Sequence, residues 1–138
     1  MANALYPLWK QEILKGTSNN LLNSAEGATG VFAALVDTGT YTYSAAHQFY
    51  SSLTGVVGTD QEILTKTQVA GTFDGTDLTF PSVSGASAEA IVLYRKNAGA
   101  NTTWPLIGYI DSGVTGLPVT HNGGNITVTW NASGIFTL

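Results

Sequence analysis

The chain has 138 residues, no cysteine and a net charge of −4. That length suits one domain with a real core, and the missing thiols exclude disulfides and thiolate metal sites. Only 10% of residues are Asp, Glu, Lys or Arg, against about 25% in an average globular chain; Thr, Ser, Asn and Gly fill the gap. A surface of neutral hydroxyls and amides costs less to desolvate than one of ammonium and carboxylate groups. It suits lasting protein–protein contact and points away from a metabolic enzyme. Lys10, Lys15, Lys66, Arg95 and Lys96 form no cluster beyond the adjacent Arg95 and Lys96, so no nucleic-acid partner is expected. No apolar run reaches the roughly 18–20 residues of a membrane span, so no membrane partner is expected either. Residues 1–7 lack the basic start and apolar stretch of a signal peptide, which predicts a protein that stays in the cytoplasm or is assembled there.

The first predicted element is a helix. Leu5, Leu8, Trp9, Ile13 and Leu14 follow helical spacing. Pro7 fits a first turn, and Lys15 with Gly16 fits a last one. Residues 1–16 therefore read as an N-terminal helical arm on a single β domain spanning 1–138. Terminal segments are loose unless they dock, so Tyr6, Leu8, Trp9 and Ile13 are the candidate interface residues, facing another chain. On that reading, deleting residues 1–15 leaves a folded domain with impaired assembly.

Strand signals follow. Residues 31–36 form a short apolar run ended by the turn cluster Asp37-Thr38-Gly39-Thr40. Ser44 can cap a short helix near residues 45–53. Residues 62–69 alternate, with Ile63, Thr65, Thr67 and Val69 on one face, as a half-exposed strand does. Residues 73–78 look like a hairpin about Asp74-Gly75. Residues 88–94, apart from Glu89, are the most apolar stretch and predict a strand buried on most of both faces. Residues 104–111 predict its antiparallel partner across a loop of small residues. A Gly- and Pro-containing connection leads to a turn at His121-Asn122-Gly123-Gly124. Residues 125–130 alternate cleanly, and residues 135–138 close the chain. The predicted fold class is mainly β: an antiparallel β-sandwich or partly closed barrel, jelly-roll-like, with one N-terminal helix.

Candidate chemistry is sparse. His47 and His121 have no second ligand at metal spacing. Gly-x-Ser-x-Gly does not occur; Ser84-Gly85-Ala86-Ser87 lacks the flanking glycines. Asp74-Gly75-Thr76-Asp77 lacks the further oxygens and distal Glu of an EF-hand loop, and reads better as a turn. Glu89, inside an apolar strand, is the one conspicuous acid, and glycoside hydrolysis needs two. Asn101, Asn125 and Asn131 begin Asn-x-Ser/Thr triplets that read as turn and strand residues. Trp9, Trp104 and Trp130, with Tyr6, Tyr41, Tyr43, Tyr50, Tyr94 and Tyr109, could line a sugar-binding face, although core and interface are the commoner fates of such rings. No catalytic residue, cofactor or metal site is expected.

Several stretches carry a resemblance. Val36-Asp37-Thr38-Gly39-Thr40-Tyr41-Thr42 is followed by Ala46-His47-Gln48-Phe49 and Leu53. Ala88-Glu89-Ala90-Ile91-Val92-Leu93-Tyr94-Arg95-Lys96 and Leu106-Ile107-Gly108-Tyr109-Ile110-Asp111 come next. Gly116-Leu117-Pro118-Val119-Thr120, the run from Asn122 to Trp130, and Ile135-Phe136 complete the series, and the start, Met1-Ala2-Asn3-Ala4-Leu5-Tyr6, fits as well. Together they resemble a family of small virion structural proteins of tailed bacteriophages and prophages, over nearly the whole chain and in order. Residues 54–61 and 96–103 depart from the pattern. The resemblance implies a non-enzymatic capsid decoration (cement) protein on the virion surface. Its implied partners are the major capsid protein and itself, as a homodimer or homotrimer. The alternative is a tail- or fibre-associated adhesion module that binds host-surface glycans; an enzyme ranks behind both.

Overall fold

The computed structural model describes residues 3–27, 29–120 and 122–138. Its central element is β7 (Ala90–Lys96), grown from the most apolar stretch of the sequence. β7 lies between β2 (Gly30–Val36) and β8 (Leu106–Ile110). β3 (Val56–Glu62) forms one edge beyond β2, and β1 (Ala4–Leu5) the other beyond β8. Every neighbouring pair is antiparallel. Residues opposite one another in such a pair point to the same face. Leu35 opposite Ile91 and Ala33 opposite Leu93 therefore share one face, and Phe32 opposite Tyr94 and Ala34 opposite Val92 share the other. Both faces are covered, which is why these strands read as continuous apolar runs instead of alternating.

The second layer consists of two smaller sheets. β5 (Thr72–Asp74) sits between β4 (Thr67–Val69) and β10 (Phe136–Thr137). β6 (Leu78–Phe80) pairs with β9 (Ile126–Val128). Leu78, Phe80, Ile126 and Val128 are buried, while Thr79 and Thr127 face outward. That alternation belongs to strands with one wet face. The antiparallel sheets pack against each other as a sandwich. Among the described residues the large sheet ends in two edge strands, β1 and β3, and does not close into a barrel.

The opposite face of the large sheet is covered by the chain between β2 and β3. Tyr41 and Tyr43 lie against Tyr109, and Tyr50 lies against Tyr94. The expected helix near 45–53 is only a 3-10 turn, Tyr50–Ser52. Local propensity loses here to pairing: Phe49 bridges Pro105, with hydrogen bonds from Tyr50 N to Trp104 O and from Leu106 N to Gln48 O. The Ser44 hydroxyl does accept a hydrogen bond, from Ala46 N, but it closes a turn and not a helix.

Two other expectations change. The strand predicted over 62–69 is broken at Thr65, whose φ of 49° is left-handed. Thr65 N donates to Glu26 Oε1 at 2.6 Å, and the chain passes there from the large sheet to β4. Of the predicted apolar face only Ile63 is buried. The predicted hairpin about Asp74-Gly75 is instead a connection between the two small sheets. Asp77 Oδ1 accepts from Trp130 N, and Trp130 Nε1 donates to Thr76 O. The tight hairpin lies one step earlier, at Ala70-Gly71, between β4 and β5. Both residues have positive φ, as a type I′ turn requires.

The N-terminal helix, α1 (Pro7–Leu14), forms where expected, with Pro7 in its first turn and Gly16 beyond its end at φ 73°. It is not an arm, however. β1 pairs with β8, and Tyr6 N donates to Ile107 O. Tyr6 is wholly buried and Trp9 is 1% exposed. Trp9 Nε1 donates to Asn20 O at 3.1 Å, and its ring meets Phe136 edge-on at 5.8 Å. These two candidate interface anchors are therefore buried in the domain's own core. The edge pairing, the Tyr6 hydrogen bond and the Trp9 contacts together hold the segment against the domain.

Candidate functional site

One exposed region gathers polar and aromatic groups from distant parts of the chain. Phe32 on β2 and Tyr94 on β7 face each other across the ladder, with rings stacked at 5.8 Å. The Trp104 indole lies nearly parallel to Tyr94, 13° apart at 5.8 Å. Its Nε1 donates to Asn97 O at 2.8 Å, which fixes the ring. Tyr50 packs edge-on against both Tyr94 and Trp104. Tyr94 is buried beneath the others; Phe32, Tyr50 and Trp104 remain half-exposed. The four rings form one wall of an open groove of about 340 Å³.

Two charges belong to this groove. Asp60, on the edge strand β3, receives the Tyr50 hydroxyl at 2.9 Å and the Tyr94 hydroxyl at 2.8 Å. Both bonds go to Oδ2, and among the described residues no donor reaches Oδ1. Burial raises the Asp60 carboxyl above its ordinary range, against the two tyrosine hydrogen bonds and the Lys96 charge, which pull it down. Burial, then the charge of Asp60, raises the Tyr50 and Tyr94 hydroxyls above theirs, so both stay protonated donors. Lys96 Nζ lies 5.1 Å from the Phe32 ring centre and 5.2 Å from that of Trp104. That is cation–π distance. The groove thus offers ring faces, one carboxylate acceptor and one ammonium donor.

A second surface is apolar. Ile13, Leu21, Leu22 and Leu138 surround a shallow depression of about 330 Å³ with Trp9 at its base. Leu138 is 61% exposed and Leu21 is 40% exposed. Gln68 of β4 completes the rim. β4 is the outer strand of its sheet, and all three of its residues are exposed. Of the four candidate interface residues, only Ile13 lines this surface with an accessible side chain; Leu8 is half-buried outside it.

The chain matches no protein-family model and no curated protein.

The remaining candidates have structural partners. The Glu89 carboxylate accepts from Thr38 N at 2.9 Å and from the Thr38 and Ser87 hydroxyls. The Ser87 hydrogen bond, with those of Thr38, holds its carboxyl below the ordinary range. It pins the turn after β2. His47 Nδ1 is 2.9 Å from the Tyr41 hydroxyl, which is 2.7 Å from that of Tyr6. Asp77 caps Trp130, as above. His121 lies outside the described residues. Of the aromatic roster, the structure brings Trp104, Tyr50 and Tyr94 together in the groove and sends Trp9, Trp130, Tyr6, Tyr41 and Tyr109 to the core. Sequence reasoning missed Asp60, Lys96 and Phe32 as members of one site. Their spacing in sequence carries no common signal; only the register of β3, β2 and β7 makes them neighbours.

Proposed function

We propose that this protein is a non-enzymatic virion structural protein of a tailed bacteriophage that decorates the capsid, docking on capsomer surfaces and stabilising the head. The observation that carries the reading is the exposed apolar surface of Ile13, Leu21, Leu22 and Leu138 beside the open edge of β4. Large apolar side chains gathered on an exposed surface mark contact sites, and an unpaired edge strand offers main-chain hydrogen bonds to a partner. The sparse charge of the chain keeps the desolvation cost of such a contact low. The family resemblance over nearly the whole chain points the same way. The partners are the major capsid protein and further copies of this chain, since a shell repeats each docking position about its symmetry axes.

The test is co-sedimentation of the purified protein with empty capsids of the source phage, followed by cryo-electron microscopy of the particles. Wild type is expected to bind, and to stay bound in high salt, because apolar contacts are not screened. Leu21→Lys with Leu138→Lys should abolish binding while the protein keeps its melting transition. Density at regular positions over the shell supports decoration. Density confined to the tail transfers the function to host attachment, and loss of binding at modest salt refutes the apolar contact.

A further inference from the structure

We infer that the groove of Phe32, Tyr50, Trp104, Asp60 and Lys96 is a binding site for a neutral carbohydrate, a pyranose ring of an oligosaccharide. A pyranose has an apolar face of C–H bonds and an edge of hydroxyls. The first fits half-exposed aromatic faces, which bury area at little entropic cost. The second needs acceptors and donors set beside those faces. Asp60 supplies an acceptor: Oδ2 is committed to Tyr50 and Tyr94, and Oδ1 is not committed to any donor among the described residues. Lys96 supplies a donor above Phe32 and Trp104.

Other ligand classes fit worse. An external cation would be repelled by the like charge of Lys96 beside the rings. An anion would meet Asp60. A purely apolar ligand would seal a carboxylate away from water without replacing its lost hydrogen bonds. A neutral polyol satisfies both charges at once, through charge-assisted bonds stronger than neutral ones. The site is also preorganised. The Trp104 indole is held by Asn97 O, and the two tyrosines brace the carboxylate. The groove's volume of about 340 Å³ lies within the range of small-molecule sites, about 300–1,000 Å³. The groove shares no lining residue with the apolar surface, so it does not depend on the decoration reading.

The test titrates the full chain with maltotriose, cellotriose, lactose and N,N′-diacetylchitobiose, with 3′-sialyllactose and choline as charged controls. Binding is read by tryptophan fluorescence and by saturation-transfer NMR. Trp9 and Trp130 are buried, so Trp104 is the reporter. At least one neutral sugar should saturate in the millimolar range and perturb the fluorescence. Asp60→Asn retains an acceptor for the tyrosine hydroxyls, preserving the fold, and should weaken binding about tenfold. Trp104→Ala should remove it. Three outcomes overturn the inference: no saturation by any neutral probe, preference for either charged control, or neutral-sugar binding unchanged in both variants. None of these measurements involves a capsid, so their failure leaves the docking proposal untouched.

Discussion

Trp9 decides whether α1 belongs to the core or to an interface. The side chain is 1% exposed, donates to Asn20 O and packs edge-on against Phe136. A buried aromatic removes about 150–250 Å² from water, which at about 25 cal/mol per Å² is about 4–6 kcal/mol for a ring as large as indole. Trp→Ala substitutions in cores cost about 3–5 kcal/mol. Trp9→Ala also takes the donor from the carbonyl of Asn20, a buried residue. Set against a total stability of about 5–15 kcal/mol, one substitution removes a large share. At about 3–5 °C per kcal/mol for a chain of this size, the melting temperature should fall by about 10–20 °C. In urea, with a slope of about 1–3 kcal/mol per M, the midpoint should fall by about 2 M. Trp9→Phe keeps most of the ring and loses the N–H, at about 1–2 kcal/mol. Deleting residues 1–15 should abolish the cooperative transition altogether, the reverse of what a loose arm implies. A Trp9→Ala protein within about 1 kcal/mol of wild type, or a truncated chain that still unfolds cooperatively, would refute the placement of α1 in the core.

Asp60 predicts a pH dependence. Its carboxyl is raised above the ordinary 3.8, so the folded state holds the proton more tightly than the unfolded chain. The stability linked to it is fully present below pH 3.8 and is lost as pH rises through the raised folded value. Asp60→Asn should gain stability relative to wild type across that interval, measured as urea midpoints at successive pH values; parallel profiles would sink the assignment. Gly116 sits at φ 107°, where an added Cβ would strike Thr127 O, whereas Gly85, at φ 104°, has open space about it. Gly116→Ala should therefore cost clearly more than Gly85→Ala, which bears only backbone strain of about 1–3 kcal/mol. Equal thermal shifts in the two variants would show that the contact with Thr127 relaxes freely.

The sequence by itself determined what depends on short-range pattern. The apolar run at 88–94 read as a strand buried on most of both faces, and β7 (Ala90–Lys96) at the centre of the large sheet grew from it. Ile126 and Val128, alternating with Thr127, specified a one-sided strand. Pro7 and Gly16 bounded α1 because each suits one end of a helix. What tertiary structure alone decided is which elements meet. Ala70-Gly71 makes the hairpin turn although alanine dislikes positive φ, because β4 must reach β5 in register. Asp74-Gly75, the better local turn signal, instead links two sheets. The direction of α1 was equally illegible: Trp9 lies on an apolar helical face whichever surface that face meets. The pairing of β1 with β8 and the contacts of Trp9 with Asn20 and Phe136 place it in the core. The groove is the clearest case. Phe32, Asp60, Tyr94 and Lys96 come from three strands, with Tyr50 and Trp104 from the turns against them. The antiparallel register, together with the turns that carry Tyr50 and Trp104, sets the Asp60 carboxylate under two tyrosine hydroxyls and the Lys96 ammonium over two aromatic rings.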